Sequence, residues 1–440
     1  MNALLTELTR SSSEDLVVLG DRSISRKEVL ASVEQLVSSL TENGASNALV
    51  QSDNPADLIA AVCAAQESKC DLVIAHTYID EDRKAELIRD SGIEAILEPP
   101  HVRSIDAEKK EQRSAGTGQL SILTSGTTGK PKVAAHSLDS LLGRIIPAAS
   151  VPVNRNSVWL LTFQPTSFAG LQVILSACVS DGKIVVPAER SPQAQIDAAA
   201  VNDVTHISGT PTFWRSVLMM TGDTRLPKLR QITLGGETVD QTTLTQLAVR
   251  FPDARISQIY ASTEAGALFA VHDGKSGFPA SWLEAENNGL NMRIRDGELQ
   301  ILSPRKMIGY SSDHKNPATE DGWLTTGDLV RVEEDRVLFI GRRDSIINVG
   351  GAKVSPEEVE TFILGIDGVA ETKVSSASNP ISGQIVVAEI VVHAGSDSVT
   401  VRKQVQKACF EGLARHKVPG MVKVVDSIAI SASGKRHNGK

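Results

Sequence analysis

The sequence predicts an α/β protein built on an open, largely parallel sheet with helices on its faces. At 440 residues the chain is longer than one hydrophobic core usually supports, so two or three lobes are expected. Hydrophobic residues make up 41% of the chain and charged residues 22%, which is typical of a globular protein. Short apolar runs alternate with longer helical patterns, and this alternation favours a parallel sheet covered by helices.

The first hundred residues show the alternation most clearly. Strands are predicted for four short apolar runs, at 15–20, 47–52, 71–76 and 94–99. Helices are predicted from Arg26 to Asn43, from Ala56 to Ser68 and from Glu81 to Asp90. Gly44 and Gly92 close the first and the third of these helices, because glycine readily adopts the left-handed conformation that ends a helix. The polar, aperiodic segment 101–118 is expected to be a surface connection.

The alternation resumes from residue 120 to about residue 270, and a more strand-rich stretch follows. A hairpin is predicted over 291–304, turning at Asp296 and Gly297, since Asp-Gly is a strong hairpin signal. A last α/β segment runs from about residue 345 to residue 440. It contains one predicted helix and two predicted strands, at 355–366, 383–394 and 421–427.

Charge and composition exclude several classes of protein. The net charge of −8, with no basic block outside the C-terminal tail, argues against nucleic-acid binding. The N-terminus lacks the layout of a signal peptide, and no apolar run approaches the roughly 20 residues that span a bilayer. Four scattered cysteines form neither a zinc pattern nor a secreted framework, so buried free thiols and a cytoplasmic location are expected.

One short loop has the composition of a phosphate-binding site. Its glycines can turn backbone N–H groups toward an anion, its hydroxyls add donors, and its lysines add positive charge. The candidate residues are Thr124, Ser125, Gly126, Thr127, Thr128, Gly129, Lys130 and Lys132. The loop is not a Walker loop, because only two residues separate Gly126 from Gly129 and Pro131 follows the lysine. The alternative for the loop taken alone is an ordinary surface turn rich in glycine and serine.

The loop resembles the signature of the adenylate-forming (AMP-binding) superfamily, which includes acyl-CoA synthetases, adenylation domains and firefly-type luciferases. Five further segments resemble that family's motifs in the expected order. The six are TSGTTGKPK (124–132), TLGGET (233–238), YASTEAG (260–266), WLTTGDLV (323–330), GRRDSIINVGGAKVSPEEVE (341–360) and SASGKR (431–436). The resemblance implies a large N-terminal α/β domain of several subdomains (1–341), a hinge (342–344) and a small mobile C-terminal α/β domain (345–440).

The resemblance also implies roles for the nucleotide-site residues. Glu264 would bind Mg²⁺ as a hard carboxylate ligand, and Thr263 beside it would contact the adenylate phosphate. The adenine side would involve Gly235, Gly236, Glu237 and Tyr260. Asp328 would accept hydrogen bonds from the ribose hydroxyls, and Arg342 would face the ribose or the phosphates. Each residue also has an ordinary structural explanation, such as a turn for Gly327-Asp328 or a surface ion pair for Arg342.

The family rotates its small domain about one hinge position, which corresponds here to Asp344. Lys435 would reach the α-phosphate and the attacking carboxylate in one orientation, where its charge stabilises the transition state. Gly350, Gly351 and Lys353 would face the pantetheine arm in the other orientation. The C-terminus holds two Gly-Lys pairs, and Lys435 matches the motif better than Lys440. Val133 departs from the family's glycine after the second lysine, so a repacked turn is expected there.

The acyl pocket is expected at Phe168 and Gly170. The segment 163–175 contains no carboxylate that could pair with a substrate ammonium group, so amino acids are disfavoured and an uncharged acyl or aryl group is favoured. The predicted function is a two-step ligase that uses ATP, Mg²⁺ and coenzyme A to activate a small carboxylic acid. A carrier-protein phosphopantetheine is the alternative acceptor, and a non-catalytic adenylate binder is the competing class. The sequence leaves monomer and homodimer open.

Overall fold

The computed structural model describes residues 2–11, 14–105, 116–124, 132–145, 156–220, 227–310, 318–319, 321–380 and 383–428. Strands and helices alternate along the N-terminal part. Its elements up to residue 142 are α1 (Ala3–Arg10), β1 (Asp15–Leu19), β2 (Arg22–Ser25), α2 (Arg26–Asn43), β3 (Asn47–Val50), α3 (Pro55–Glu67), β4 (Asp71–Ile74), α4 (Glu81–Ser91), β5 (Ala95–Glu98), β6 (His101–Ser104), β7 (Leu120–Thr124), β8 (Lys132–His136) and α5 (Leu138–Leu142).

The alternation continues in the next segment and then gives way to strands. The elements from residue 158 onward are β9 (Val158–Leu161), α6 (Phe168–Val179), β10 (Lys183–Val186), α7 (Pro192–Val201), β11 (His206–Gly209), α8 (Pro211–Met219), β12 (Gln231–Gly235), α9 (Gln241–Arg250), β13 (Arg255–Ser262), β14 (Gly266–Val271), β15 (Phe278–Pro279), the 3₁₀ turn Ala280–Leu283, β16 (Asn291–Arg295), β17 (Glu298–Leu302), β18 (Gly309–Tyr310), β19 (Leu324–Glu333) and β20 (Arg336–Arg342).

The C-terminal part is a small α/β unit. It comprises the 3₁₀ turn Arg343–Ser345, β21 (Ile347–Val349), β22 (Ala352–Val354), α10 (Pro356–Leu364), β23 (Val369–Asn379), β24 (Gly383–Val392), α11 (Ser398–Gly412), the 3₁₀ turn Arg415–Lys417 and β25 (Met421–Val424). Its hydrophobic core is separate from the cores of the N-terminal part. The molecule therefore has a large N-terminal and a small C-terminal α/β domain.

Four sheets organise these strands. Sheet 1 has the order β18-β8-β7-β4-β3-β5-β6, and its strands β7, β4, β3 and β5 are parallel. Sheet 2 has the order β14-β13-β12-β11-β9-β10-β1-β2, and the strands from β13 to β1 are parallel. Sheet 3, with the order β15-β20-β19-β17-β16, is antiparallel. Sheet 4 contains β22, β21, β24 and β23, with β25 added beside β24.

Two apolar helices help to fill the largest core. α3 is buried along almost its whole length, and α6 is apolar on nearly every side. A helix that is hydrophobic all round must be surrounded by protein, and both helices belong to the core that also contains strands of sheets 1 and 2. In sheet 1, the parallel strand β7 ends at Thr124, where the candidate phosphate loop begins, and β8 follows that loop from Lys132.

Most of the predicted elements are confirmed. The helix Arg26–Asn43 has its predicted limits, with Gly44 at φ +60°, and the hairpin turns at Asp296 and Gly297. Two predictions are wrong. Residues 101–104 form β6 and pair with β5, so they are not a simple connection. The parallel strands also lie in two separate sheets, not in one.

The four cysteines, Cys63, Cys70, Cys178 and Cys409, are buried free thiols, as expected. Burial raises the pKa of the Cys70 thiol to about 12, and the pKa of the Cys409 thiol to about 11, so these two thiols are inert at neutral pH. Across the described parts of the chain, no helix is both long enough and apolar enough to cross a bilayer.

Candidate active site

The TLGGET and YASTEAG segments meet at the edge of sheet 2. β12 and β13 are parallel neighbours, and Gly235 is paired with Ile259, next to Tyr260. A Cβ on Gly235 would lie 3.2 Å from the carbonyl oxygen of Ile259, so glycine allows close approach of the two strands. Gly236 follows with φ +83°, a conformation that favours glycine. The fold therefore places two motifs that are distant in sequence side by side.

A partly buried carboxylate connects this edge to sheet 3. Asp328 in β19 is paired with Arg342 in β20, and the Arg342 Nη1 lies 3.2 Å from the Asp328 Oδ1. The other oxygen, Oδ2, accepts a hydrogen bond from the Tyr260 hydroxyl. Burial raises the pKa of the Asp328 carboxyl, and the Arg342 guanidinium opposes that rise. Each carboxylate oxygen has a further lone pair, so Asp328 can still accept a ribose hydroxyl.

Tyr260 is enclosed by aromatic rings. Its ring stacks against Phe339 at a centroid distance of 4.8 Å and lies 5.2 Å from Phe269. Burial, followed by the nearby Asp328, raises the pKa of Tyr260 well above its ordinary value, so the phenol remains a donor. Tyr260 thus reaches the candidate nucleotide site through Asp328, and direct contact of its ring with adenine stays a prediction.

The turn that carries Thr263 and Glu264 is held on both sides. The ring of His136, in β8, donates from Nε2 to the Thr263 carbonyl oxygen at 2.7 Å. The Glu264 Oε1 accepts a hydrogen bond from the Tyr310 hydroxyl at 3.0 Å, and the Glu264 carbonyl accepts one from the Met307 N–H at 2.9 Å. Burial lowers the pKa of His136 to about 4, so the imidazole is neutral at pH 7. The turn is therefore fixed without an added charge.

The two ends of the candidate phosphate loop lie beside this turn. Thr124 ends β7, Lys132 begins β8, and the Thr124 hydroxyl donates to the Lys132 carbonyl at 3.2 Å. The Lys132 Nζ lies 5.4 Å from the centre of the Tyr310 ring. The intervening candidates lie outside the described residues: Ser125, Gly126, Thr127, Thr128, Gly129 and Lys130. Their role in phosphate binding stays a prediction.

Glu237 belongs to a polar network next to the candidate adenine segment. Its carboxylate accepts hydrogen bonds from the N–H and the hydroxyl of Thr212, at 3.1 and 2.7 Å, and thereby satisfies the N-terminus of α8. Arg215 lies 4.0 Å from Glu237 and pairs with Asp240 at 3.0 Å. The network gives Glu237 a structural role, and its contact with the nucleotide stays a prediction.

The candidate acyl-pocket residues occupy the start of α6. Phe168 is buried, and its ring centre lies 5.8 Å from that of His136. Since His136 contacts Thr263, only the His136 ring separates Phe168 from the Thr263 turn. A Cβ on Gly170 would lie 2.0 Å from the Gln164 carbonyl oxygen, so close backbone packing explains this glycine. Phe168 is thus positioned near the reacting end of the candidate site, whereas the part of Gly170 in a pocket stays a prediction.

Asp344 lies where the two domains join, with 53% of its side chain exposed and its carboxylate 3.4 Å from the Arg342 Nε. The neighbouring Arg343 binds the buried Glu298 carboxylate at 2.7 Å, and that carboxylate also accepts the Gly327 N–H at 2.7 Å. Glu298 in β17 therefore holds both Arg343 and Gly327, the residues that precede Asp344 and Asp328.

The β21–β22 hairpin carries the residues predicted for the thiol side. Gly350 and Gly351 form its turn at φ +59° and +89°, and the Gly351 N–H donates to the Asn348 side chain at 3.0 Å. Lys353 is exposed. Lys435 and the alternative Lys440 lie outside the described residues. The roles of these residues stay predictions.

Comparison with known proteins identifies the family. Residues 119–307 match the family described as AMP-binding enzyme, and residues 358–435 match the AMP-binding enzyme C-terminal domain. The chain belongs to the adenylate-forming AMP-binding enzymes. The expected resemblance is confirmed, and so is the arrangement of a large and a small domain.

Several known members are similar to this AMP-binding enzyme. The 2-succinylbenzoate–CoA ligase of Bacillus subtilis is 25% identical over 95% of this chain and 93% of its own length. The 4-hydroxybutyrate–CoA ligase 1 of Metallosphaera sedula is 27% identical over 76% of this chain and 63% of its own length. A structure of the o-succinylbenzoate coenzyme A synthetase from Bacillus subtilis, in complex with ATP and a magnesium ion, superimposes with a TM-score of 0.73. That structure is 21% identical in sequence and covers 98% of this chain and 97% of its own.

The donor set of this AMP-binding enzyme fits a magnesium ion held largely by its nucleotide. In the described segments no group of three or more His, Cys, Asp or Glu side chains comes together as a metal cage. Glu264 instead offers one half-buried carboxylate at the turn beside the phosphate loop. Mg²⁺ is commonly bound by one or two carboxylates together with substrate phosphates and water, so a single Glu264 suits it.

Three residues of the site were not predicted from the sequence. His136 lies only four residues beyond Lys132, and this proximity was the one available signal. Tyr310 and Glu298 had none, because strand pairing brings them to the site from the strand-rich segment. Their contacts with Thr263, Glu264 and Gly327 make them part of the site's framework.

Proposed function

We propose that this enzyme is an ATP-dependent carboxylate–CoA ligase. A carboxylate oxygen attacks the α-phosphorus of ATP and pyrophosphate leaves, which gives acyl-AMP; a thiol sulfur then attacks the acyl carbon and AMP leaves. The observation that carries the proposal is the joining of Asp328, Arg342 and Tyr260 across two sheets, beside the turn that bears Thr263 and Glu264. A non-catalytic binder has no need for this complete set together with Lys435.

The side chains divide the work of the first half-reaction. Asp328 would hold the ribose, with Arg342 compensating its charge. Thr263 would orient the α-phosphate, and Glu264 would hold Mg²⁺, which supplies charge neutralisation on the phosphate oxygens when bound. Lys435 would stabilise the negative charge that gathers as pyrophosphate leaves.

The acid is expected to be small and uncharged beyond its reacting carboxylate. Phe168 packs against the neutral His136, which in turn holds the Thr263 carbonyl, and neither side chain offers a charge that could pair with a charged group on the acid. The two relatives above are named for 2-succinylbenzoate and 4-hydroxybutyrate, which differ in size, shape and charge, since the first carries a second carboxylate. We therefore assign a class of acid and no single compound.

Coenzyme A is the proposed thiol, because the curated relatives are named as CoA ligases. A carrier-protein phosphopantetheine presents the same arm to the Gly350–Gly351 turn and is the alternative. We also propose a cytoplasmic location, since disulfides are rare there and all four cysteines are free thiols.

Incubation of the enzyme with ATP, Mg²⁺, coenzyme A and a panel of carboxylic acids, followed by mass spectrometry, tests the function. Acyl-CoA formed from at least one acid supports the proposal. Acyl-AMP without acyl-CoA would indicate a different thiol, which a phosphopantetheine-bearing carrier protein would then reveal. Neither product with any acid, although ATP binds, would favour the non-catalytic binder.

Asp328→Ala is expected to raise the KM for ATP about tenfold or more, because hydrogen bonds to a charged acceptor contribute about 1.5–3 kcal/mol. The KM for the acid should change little. Steady-state pyrophosphate release at varied ATP measures the effect. Asp321→Ala is a suitable control, since Asp321 also pairs with an arginine, Arg293, at 3.0 Å but lies on the exposed surface. Ordinary ATP saturation in the Asp328 variant would remove Asp328 from the ribose site.

Glu264→Gln is expected to shift the Mg²⁺ dependence of acyl-AMP formation to higher concentration, because an amide oxygen is a weaker ligand for a hard cation than a carboxylate. Thiolysis of supplied acyl-AMP should be spared. A magnesium titration of both half-reactions checks this. Glu284→Gln provides the matched control, since Glu284 follows the 3₁₀ turn Ala280–Leu283 and has no part in the site. Identical titrations for Glu264→Gln and the unmodified enzyme would exclude Glu264 as the ligand.

A further inference from the structure

Tyr310 lies at the junction of three parts of the candidate site. It ends the two-residue strand β18, which pairs with β8 so that Tyr310 is opposite Ala134 and Gly309 is opposite Ala135. The Ile308 N–H also donates to the Ala135 carbonyl at 2.7 Å. Because β8 begins at Lys132, where the candidate phosphate loop ends, this pairing fixes the tyrosine relative to that end of the loop.

The hydroxyl and the ring of Tyr310 make different contacts. The hydroxyl donates to the Glu264 Oε1 at 3.0 Å, and the ring face receives the Lys132 Nζ at 5.4 Å from its centre. The latter distance lies within the range of a cation–π interaction. One side chain therefore contacts both the candidate metal ligand and a candidate phosphate-binding lysine.

The segment around Tyr310 also holds the backbone of Glu264. The Met307 N–H donates to the Glu264 carbonyl at 2.9 Å. Met307 lies three residues before Tyr310, whose hydroxyl donates to the Glu264 carboxylate. Residues 307–310 thus restrain Glu264 at both its main chain and its side chain. A carboxylate restrained in this way loses less rotamer freedom when it binds a ligand.

Tyr310 has a second consequence for the two charges. Lys132 and Glu264 have opposite charges. Lys132 contacts the ring of Tyr310 and Glu264 contacts its hydroxyl, and among the described residues the two charged groups form no direct ion pair. A direct ion pair would occupy the carboxylate oxygens and the ammonium group that the candidate site needs for the metal ion and the phosphates. The tyrosine instead contacts the two groups separately: its ring faces the Lys132 ammonium group and its hydroxyl donates to the Glu264 carboxylate.

We propose that Tyr310 is a positioning residue for the first half-reaction: its hydroxyl orients Glu264 toward the metal ion and its ring holds Lys132 for the phosphates. This inference rests on the proposed function. It assigns two separable effects to one side chain, so substitutions that remove the hydroxyl alone or the whole ring give different results.

The test measures ATP binding by calorimetry without acid or thiol, once with Mg²⁺ and once with EDTA. The ratio of the two affinities is the contribution of the metal. Tyr310→Phe should lower this ratio about tenfold, the scale for losing an outer-shell partner of a metal ligand, and should leave the EDTA affinity unchanged. Tyr310→Leu should lower the ratio equally and also weaken binding in EDTA, about two- to fivefold, because the ring beneath Lys132 is lost.

Two comparisons make the test specific. Tyr78→Phe removes the hydroxyl of a tyrosine that is 53% exposed and outside the site, and it should leave both affinities unchanged. In a Glu264→Gln background, adding Tyr310→Phe should lower the metal contribution no further, because the hydroxyl acts through Glu264. Thermal unfolding midpoints verify that the variants are folded, and Tyr310→Phe with the double variant decides the question even if Tyr310→Leu does not fold.

An unchanged magnesium contribution in Tyr310→Phe would overturn the inference, as would a further loss in the double variant. Equal weakening with Mg²⁺ and with EDTA in Tyr310→Phe would also overturn it, since that pattern indicates a general structural role. If the unmodified enzyme bound ATP equally well with and without Mg²⁺ and formed no acyl-AMP with any acid, the proposed function would fail together with this inference. If the enzyme forms acyl-AMP normally but Tyr310→Phe binds like the unmodified enzyme, only the inference fails.

Discussion

Lys435→Ala is expected to slow acyl-AMP formation about 100-fold or more, on the scale of losing one preorganised electrostatic group. Negative charge gathers on the phosphate oxygens as the acid attacks and pyrophosphate leaves, and a fixed ammonium group stabilises that charge without reorganisation. The assay is pyrophosphate release with saturating ATP and acid. Acyl transfer from supplied acyl-AMP to the thiol should stay near the level of the unmodified enzyme, because that step expels AMP and no pyrophosphate.

Lys440→Ala is the matched control for this experiment. The chain carries a second Gly-Lys pair, Gly439-Lys440, five residues beyond Gly434-Lys435. If Lys440→Ala lost acyl-AMP formation and Lys435→Ala kept it, the assignment of the lysine would be reversed. Equal loss of both half-reactions in Lys435→Ala would argue that the lysine supports folding or domain contacts and has no selective role in adenylation.

Local signals explain which parts of the fold could be predicted. The helix Arg26–Asn43 begins at Ser25, whose side chain accepts the Glu28 N–H while Glu28 bonds back to the Ser25 N–H, and it ends at a left-handed Gly44. All of these determinants lie within the helix and its immediate neighbours. The Asp296-Gly297 hairpin is local in the same way, since both turn residues adopt positive φ.

Long-range pairing explains what could not be predicted. The sequence shows short parallel strands but not their partners, so it could not show that β3 and β4 belong to one sheet while β1 and β10 belong to another. β6 is mostly exposed and polar, and only its pairing with β5 makes it a strand. Such edge strands lack the apolar alternation on which sequence patterns depend.

The site shows the same division. Asp328 and Arg342 could be proposed from motifs, but the Tyr260 hydroxyl that links the two sheets through Asp328 is a contact across 68 residues. His136 reaches Thr263 across 127 residues, and Tyr310 reaches Glu264 across 46. Neither contact leaves a periodic signal in the sequence. Sequence motifs therefore predict the residues that contact the substrate, but they do not predict the residues that position those side chains.

Two salt bridges hold the chain on the N-terminal side of Asp344. Arg342 pairs with Asp328, and Arg343 pairs with Glu298, which is only 4% exposed. Beyond Asp344, Ser345 and Ser355 both donate to the Glu357 carboxylate, at 3.1 and 2.9 Å. Asp344 lies between these two anchored segments with an exposed side chain. A rotation of the small domain would therefore concentrate its backbone change near this residue.

Asp344→Pro is expected to form acyl-AMP and pyrophosphate but to release little thioester. Proline fixes φ near −65° at position 344 and also restricts the backbone of Arg343, so rotation about this point is blocked. We expect the adenylate-forming orientation to survive and thioester formation to fall about 100-fold, which is the scale of misplacing reacting groups by about 1 Å. Parallel assays of pyrophosphate, acyl-AMP and acyl-CoA measure the split between the half-reactions.

Asp344→Ala separates rotation from charge. It removes the 3.4 Å contact with Arg342 but leaves φ free, so it should retain thioester formation within a few-fold of the unmodified enzyme. Because the side chain is exposed, Asp344→Ala should change the free energy of unfolding by no more than about 0.5 kcal/mol, and Asp344→Pro should change it modestly. Full thioester turnover by a folded Asp344→Pro enzyme would place the pivot elsewhere in the chain or show that one domain orientation serves both half-reactions. Loss of thioester formation in Asp344→Ala as well would instead assign the effect to the Arg342 contact, since alanine leaves the backbone free to rotate.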